Sequence, residues 1–264
     1  MCNIGAAIVG VKFADRDGNI DDVALGYREP ESYIGDGAAS GKSVGRVAGR
    51  IARGHMVIEG VEYRLEVNNG PNHLHGGSKG FANRYWEGRV ETNRVVFSYV
   101  AEDMEQGYPG ELVVEAVYDF DDEDNLEITY LAKSNKNTVV NLTNHLYWNL
   151  HGEGSDKTIL DHELKLNSSK VLEMDTVQIP TGKLLDVKGT ALDFTEWRRF
   201  GDEIDSEFNN IRTFRGYDHC FAVDGYKKNI LKEVGELRCE ATGRRVTILS
   251  SSPAAVLYTG NWLA

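Results

Sequence analysis

The most constraining feature of this chain is a short-range alternation of apolar and polar residues that recurs along its length. The segment Val57–Val67 mostly alternates in this way around a glycine turn, and Arg89–Val100 and Glu111–Phe120 repeat the pattern. Successive side chains of a β-strand point to opposite faces, so a period of two is typical of half-buried strands. Long segments with a helical period are not found in the sequence. The pattern therefore predicts an all-β chain, built as a sandwich or barrel.

Several further segments complete this prediction. Strands are expected at Leu126–Ala132, Val139–Leu142, His162–Leu166, Cys220–Val223, Glu236–Ala241, Arg245–Leu249 and Ala254–Tyr258. Two short helices are expected at Thr195–Glu203 and Ile204–Ile211, and the acidic run Asp121–Asn125 is expected to be a solvated hairpin tip. Because neither a fixed-period repeat nor a low-complexity linker interrupts the sequence, we expect a single domain over residues 1–264.

Composition excludes several classes of partner. The 264 residues carry a formal net charge of −12, which argues against nucleic acid and against anionic membranes. An apolar run of the roughly 20 residues that cross a bilayer is not found, and neither is a signal peptide. The cysteines are odd in number and far apart, at Cys2, Cys220 and Cys239, which indicates a reduced, cytoplasmic protein.

One tempting nucleotide motif fails on its spacing. The tripeptide Gly41-Lys42-Ser43 matches the end of a phosphate-binding loop, but that loop needs a glycine five residues earlier. Asp36 occupies that position, and its carboxylate would repel phosphates. We therefore expect a different role for Lys42.

A metal site is a second alternative. His73 and His75 are two positions apart, so on a strand they would lie on the same face. His145 could supply a third ligand. The charged residue that follows them is Lys79, where a metal site would favour a carboxylate. A metal site is therefore the less favoured interpretation.

Two histidines lie in polar segments that suit a sugar. Asn72–Gly77 combines His75 with glycines, and Thr143–Leu150 places His145 among amides and aromatic rings. Ordinary histidine titrates near pH ~6.5, so it exchanges protons at neutral pH. Aromatic faces pack against the C–H groups of a sugar, while amides hydrogen-bond its hydroxyls. These features by themselves make carbohydrate chemistry one interpretation among others.

A family resemblance strengthens that interpretation. Six segments occur in the order and approximate spacing of the aldose 1-epimerases: Val44–Ile51, Asn72–Gly77, Gly107–Leu112, Thr143–Leu150, Gly216–His219 and Tyr258–Trp262. The step Ile179–Gly182 fits the same pattern. The chain thus resembles this family from about Asn3 to Ala264.

The resemblance implies a fold, an activity and a set of site residues. The fold would be a galactose-mutarotase-like β-supersandwich with few short helices. The activity would be the interconversion of the α and β anomers of a free aldohexose such as galactose or glucose, with neither metal nor organic cofactor. His145 would protonate the ring oxygen and His75 would hold or polarise the same region. Arg50, Asp218 and Asn72 would bind the sugar hydroxyls.

The sequence departs from the family at the catalytic base. The resemblance implies a glutamate after the segment Tyr258–Trp262, and this sequence contains no residue that matches it. Gly49 also stands where the family usually has asparagine. Asn3–Ala6 resembles the end of an early strand of the family, so the chain is expected to be incomplete at both ends relative to the family. We expect an extended chain that supplies the glutamate to be at least about tenfold more active.

Two other functions remain open on the sequence. The first is a non-catalytic carbohydrate-binding module derived from a mutarotase. The second is an epimerase of phosphorylated sugars, which would need further basic residues beside Arg50.

Overall fold

The computed structural model describes residues 1–263, and regular structure in this range is almost entirely β. Seven helical segments occur here, and each is a single 3-10 turn: Pro30–Tyr33, Ala52–Gly54, Phe81–Asn83, Glu105–Gly107, Ile159–Asp161, Phe200–Asp202 and Phe208–Asn210. Within residues 1–263, no helix is long and apolar enough to cross a membrane. The predicted all-β class is confirmed.

The described residues form twenty strands. The first ten are β1 Lys12–Ala14, β2 Ile20–Asp22, β3 Ser43–Val44, β4 Arg50–Ile51, β5 His55–Ile58, β6 Val61–Arg64, β7 His73–Leu74, β8 Glu87–Val90, β9 Arg94–Ala101 and β10 Leu112–Phe120. The other ten are β11 Leu126–Ser134, β12 Thr143–Asn144, β13 Glu163–Leu166, β14 Lys170–Met174, β15 Pro180–Asp186, β16 Arg198–Arg199, β17 Asp218–Ala222, β18 Lys232–Arg238, β19 Arg245–Ser250 and β20 Ala254–Tyr258.

The chain divides into two compact units. Unit 1 comprises Met1–Val11 and Ala24–Tyr147, and unit 2 comprises Lys12–Val23 and the residues from Trp148 onward. The expectation of a single domain over 1–264 stays a prediction, and residue 264 lies outside the described residues.

Unit 1 is built around an antiparallel sheet in the order β11-β10-β9-β8. Its inner face follows the period-two pattern, since Val114, Ala116 and Tyr118 are buried while the residues between them are more exposed. The buried cluster against this face is Ala6, Ile8, Phe81, Trp86, Phe97, Ala101, Leu112, Val114, Ala116 and Tyr118. At the β10–β11 tip, Asp121 accepts hydrogen bonds from the backbone N–H groups of Glu123 and Asn125, as expected of a solvated turn.

Lys42 is an internal structural residue of unit 1. Its side chain is fully buried, and Nζ donates to the carbonyl oxygen of Tyr33 at 2.7 Å and lies 3.6 Å from Asp36. Burial lowers the pKa of Lys42, and the neighbouring Asp36 carboxylate partly opposes that effect. The amine is thus turned into the protein, which agrees with the rejection of a phosphate-binding loop.

Unit 2 contains two four-stranded antiparallel sheets, in the orders β16-β13-β18-β19 and β15-β14-β17-β20. Phe194 connects them, because its carbonyl accepts from the N–H of Leu166 in β13 and its ring contacts Phe221 of β17. Rings of Phe200 and Tyr217 complete the aromatic contact. The core of unit 2 therefore lies between its sheets.

Three sequence predictions differ from the structure. Val139–Leu142 is not a strand, since pairing in this region is confined to β12 and isolated bridges. The helix expected at Thr195–Glu203 is wrong, because Arg198 and Arg199 pair with β13 and leave one 3-10 turn. The helix expected at Ile204–Ile211 is also wrong, since Asn209 has a φ of +47° and interrupts the helical path. Strands β1–β4, β7, β12 and β14–β16 were not predicted.

Candidate active site

The backbone of His145 is fixed on both sides by the segment that precedes β3. Its N–H donates to the carbonyl of Lys42 at 2.8 Å, and its carbonyl accepts from the N–H of Gly41 at 3.0 Å. Gly41 has a φ of +65°, and an added Cβ would lie 1.9 Å from the carbonyl oxygen of Ile8. Only glycine fits here. The β3–β12 pairing therefore sets the position of His145.

His75 follows β7 in a left-handed backbone conformation, with a φ of +54°. Its N–H donates to the carbonyl of Gly49 at 3.1 Å, and its Nδ1 accepts from the N–H of Gly49 at the same distance. The next residue, Gly76, allows close packing, since a Cβ there would lie 1.9 Å from the carbonyl oxygen of Gly45. Because Nδ1 is an acceptor, neutral His75 carries its proton on Nε2.

The two histidines lie edge to face. Their ring centroids are 5.4 Å apart with an interplanar angle of 87°, and Tyr147 packs against His145 at 4.9 Å. Burial, followed by the charges of His145 and Arg50, lowers the pKa of His75 to about 3. Burial also lowers the pKa of His145, while a hydrogen bond to its own backbone and the charge of Asp36 act in the opposite direction. Both imidazoles are therefore neutral at pH 7 in the free protein.

Arg50 and Asn72 lie near this pair in unit 1 and have different surroundings. Arg50 belongs to β4, and its Nε donates to Oδ1 of Asn69 at 3.0 Å. Asn72 is only 2% exposed, and its Oδ1 accepts from the backbone N–H of Arg53 at 3.1 Å. Its side-chain oxygen thus organises a turn. Sugar binding by Asn72 stays a prediction.

Asp218 begins β17 in unit 2. Its Oδ2 accepts from the side-chain amide of Gln178, a residue that sequence reasoning missed. The backbone N–H of Asp218 donates to Nδ1 of His219 at 3.0 Å, and Nε2 of His219 donates to the carbonyl of Asn209 at 2.8 Å. The fully buried His219 ring is thereby fixed at both nitrogens. It holds the backbone from which the Asp218 carboxylate projects.

The turn before Asp218 is tied to the segment after β20. Asn261 donates through Nδ2 to the carbonyls of Phe214 and Tyr217, each at 2.9 Å. The hydroxyl of Thr259 accepts from the N–H of Tyr217 at 3.0 Å. The motif Tyr258–Trp262, which the sequence analysis noted only as a resemblance, therefore supports the turn that carries Asp218.

The metal pair considered from the sequence is disfavoured by geometry. Nδ1 of His73 bonds to the carbonyl of Glu66, and Nε2 bonds to the hydroxyl of Tyr108, each at 2.7 Å. Both ring nitrogens are used, so His73 has no lone pair to share with His75.

A second group, in unit 2, brings His151, His162 and Cys239 together with donor atoms within 4.8 Å. Asp161 contacts Nε2 of His151 at 2.7 Å and Nδ1 of His162 at 3.3 Å, while Nε2 of His162 accepts from the N–H of Leu150. The Cys239 sulfur lies 3.5 Å and 4.0 Å from the two nitrogens of His151. A sulfur almost equidistant from both ring nitrogens lies over the face of the His151 imidazole. The nitrogen lone pairs point outward in the plane of that ring, so they do not point toward the sulfur. The geometry favours a hydrogen-bonded network over a metal site.

All comparisons with known proteins indicate the same family. A family model described as aldose 1-epimerase matches residues 1–264. Galactose mutarotase of Bos taurus is 41% identical over 259 residues, which are 98% of this chain and 73% of that protein. Aldose 1-epimerase of Escherichia coli K12 is 33% identical over 260 residues, covering 98% of this chain and 74% of the relative.

Two solved structures share the fold. An aldose epimerase homologue from C. elegans superposes with a TM-score of 0.89 at 30% identity, covering 99% of this chain and 78% of that one. Galactose 1-epimerase from Lactobacillus acidophilus gives a TM-score of 0.84 at 31% identity, covering 98% and 74% of the two chains. The β-supersandwich expected from the resemblance is confirmed.

Proposed function

This chain belongs to the aldose 1-epimerase family, and from that premise we propose that His145 and His75 carry out the acid half of its chemistry. The chain is an isomerase of the mutarotase type, which interconverts the α and β anomers of a free aldose. Galactose and glucose are the substrates proposed here.

The different protonation of the two histidines carries the assignment of roles. His75 has a pKa of about 3 and a proton fixed on Nε2, so it acts as a neutral hydrogen-bond donor to the sugar. His145 is the member of the pair that accepts a proton more readily, because a hydrogen bond to its own backbone and the charge of Asp36 partly oppose the effect of burial. We therefore assign to His145 the delivery of a proton to the ring oxygen.

Ring opening needs balanced proton movements. A proton reaches the ring oxygen while the bond between that oxygen and C1 breaks, and the C1 hydroxyl loses its proton as the aldehyde forms. Rotation about C1–C2 and reclosure then give the other anomer. Arg50, Asp218 and Asn72 are proposed to hold the remaining hydroxyls. The resemblance implies a glutamate as the base for the C1 proton. Because none of the acidic residues of this sequence matches that glutamate, solvent water accepts the proton in this chain.

Polarimetry of freshly dissolved α-D-glucose and α-D-galactose tests the proposal. Replacement of His145 by Asn should lower kcat by about 10²–10⁴ with a much smaller effect on KM, because a positioned proton donor is lost. His55→Asn is the matched control, since His55 lies on the separate β5–β6 hairpin and should leave turnover unchanged.

The competing function has its own outcome. If the folded protein binds sugar but does not speed mutarotation beyond the uncatalysed rate, it is a carbohydrate-binding module. If His145→Asn retains full turnover per folded molecule, the assignment of the acid is wrong and another group protonates the ring.

A cytoplasmic location is part of the proposal. Cys2, Cys220 and Cys239 are all free thiols, which is consistent with a reducing compartment. The strongly acidic composition supports a small neutral substrate over nucleic acid or an anionic membrane.

A further inference from the structure

The outer face of the sheet β16-β13-β18-β19 in unit 2 is polar. Lys165 pairs with Glu236 and Glu163 pairs with Arg238 in the β13–β18 register. The alternate residue Leu164 is only 3% exposed, so it points to the core and the charged pairs point outward. This face has no part in the histidine chemistry, and its residues are different from those of the proposed active site.

A cavity of about 360 Å³ lies on this face. It is lined by Lys165, Asn167, Trp197, Glu233, Glu236 and Arg245. The volume is at the lower end of the ~300–1,000 Å³ typical of pockets for small molecules. It therefore suits one or two sugar rings.

The aromatic ring in this cavity is held in place from one side. The guanidinium of Arg238 lies 4.0 Å from the ring centroid of Trp197, and its Nε donates to Glu163 at 2.8 Å. An aromatic ring fixed in this way loses little conformational freedom when a ligand packs on it. Trp197 is thus a preorganised apolar surface on an otherwise polar sheet face.

The polar lining is balanced in charge and mixed in hydrogen-bonding type. Lys165 and Arg245 are cationic, and Glu233 and Glu236 are anionic. Nε of Arg245 lies 2.8 Å from Glu236, and the amide of Asn167 donates to Glu233 at 3.2 Å. Because the charges offset one another, an anionic ligand gains little here. Closely spaced donors and acceptors instead match the hydroxyls of a neutral polyol.

We propose that this cavity is a second saccharide-binding site, separate from the active site. The C–H face of a pyranose packs on Trp197, and its hydroxyls bond to Glu233, Glu236 and Asn167. The site binds intact mono- or disaccharides and performs no chemistry on them. The proposal does not depend on the catalytic roles of the histidines.

Nuclear magnetic resonance of the ¹⁵N-labelled protein tests the site. The chain has four tryptophans, and Trp197→Phe identifies the indole signal of Trp197 by its loss. Titration with lactose should change the chemical shift of the Trp197 indole until the change saturates, whereas inorganic phosphate should leave that chemical shift unchanged. The backbone amides of Glu233 and Glu236 should move with the same dissociation constant.

Variants separate the site from catalysis. Trp197→Ala should weaken lactose binding at the Glu233 and Glu236 amides by at least about tenfold, while mutarotase activity per folded molecule stays unchanged. Trp197→Phe keeps an aromatic face and should retain most of the affinity. Glu236→Gln, which keeps the shape of the side chain, provides a second test if Trp197→Ala folds poorly.

The outcomes that overturn the proposal are distinct from those that overturn the mutarotase chemistry. If lactose leaves the Trp197 signal in place while the protein mutarotates sugars, the second site does not exist. If phosphate moves the signal and lactose does not, the ligand class is wrong. A saturable Trp197 response in a protein without turnover refutes only the proposed function.

Discussion

At the scale of single residues, the pair His75 and His145 shows how one type of side chain acquires two chemical states. Both rings are buried, so both pKa values fall below the ordinary value. The backbone N–H of Gly49 additionally occupies Nδ1 of His75, whereas the charge of Asp36 favours protonation of His145. When this pair of histidines takes up one proton, the positive charge therefore lies on His145.

This difference predicts the pH dependence of the reaction. If His145 must be protonated in the free enzyme, kcat/KM is highest at low pH and falls as pH rises through the pKa of His145. Because that pKa is lowered, the midpoint should lie below about 6.5. Polarimetric initial rates between the onset of acid unfolding and pH 8 measure the profile.

A profile that stays flat from pH 5 to 8 would contradict this expectation, because a neutral His145 would then be the donor. His145→Gln is the control, since the residual kcat/KM of this variant should not fall as pH rises through the pKa of His145.

At the scale of structural elements, the turn that precedes β17 depends on a contact distant in sequence. The carbonyls of Phe214 and Tyr217 both accept from the single amide of Asn261, and the Tyr217 carbonyl also accepts from the N–H of Thr259. Both residues are buried, so loss of that amide leaves two acceptors without this donor. Asp218 follows the turn directly, so its position depends on the turn.

If Asp218 binds the sugar as proposed, replacement of Asn261 by Ala should raise KM by about tenfold with a smaller change in kcat, because the Asp218 carboxylate is displaced while the histidines are untouched. Asn261→Asp keeps the size of the side chain but removes both donated hydrogen bonds, so it should behave like Asn261→Ala. Asn125→Ala at the β10–β11 hairpin tip is the control. An unchanged KM in both Asn261 variants would show that this amide does not position Asp218.

At the scale of the whole molecule, stability depends on keeping several histidines neutral. Five have a pKa lowered chiefly by burial: His73, His75, His145, His162 and His219. Below about pH 6.5 the unfolded chain binds protons that the folded chain does not. The free energy of unfolding is therefore highest above that pH and falls as pH decreases.

Urea denaturation between pH 7.5 and 5 should show this loss of stability. Each histidine that remains neutral in the folded state contributes a slope of up to about 1.4 kcal/mol per pH unit. His219→Gln should lower the number of protons taken up on unfolding by about one. A free energy of unfolding that does not change over this pH range would refute the prediction. The lowered pKa values of Asp161 and Asp193 act only at lower pH, so they do not produce this slope.

How much of the structure the sequence predicted depends on how far apart in the chain the interacting residues lie. Alternation along β9, β10 and β11 predicted those strands, because inner and outer faces are encoded in successive residues. Val139–Leu142 has the same apolar character but no partner strand over that range. Thr195–Glu203 was misread as helix because the pairing of Arg198 and Arg199 with β13 is a tertiary contact.

The sequence alone determined the all-β class, the hairpins of unit 1 and, through six ordered segments, the family and its candidate residues. These depend on local periodicity and on residue identity, both of which are read directly from the chain. Only the tertiary structure decided that Gly49 fixes the tautomer of His75, that Asn72 supports a turn and that Gln178 bonds to Asp218. Such contacts join residues up to 40 positions apart, and burial lowers the pKa of His75, so no local pattern encodes them.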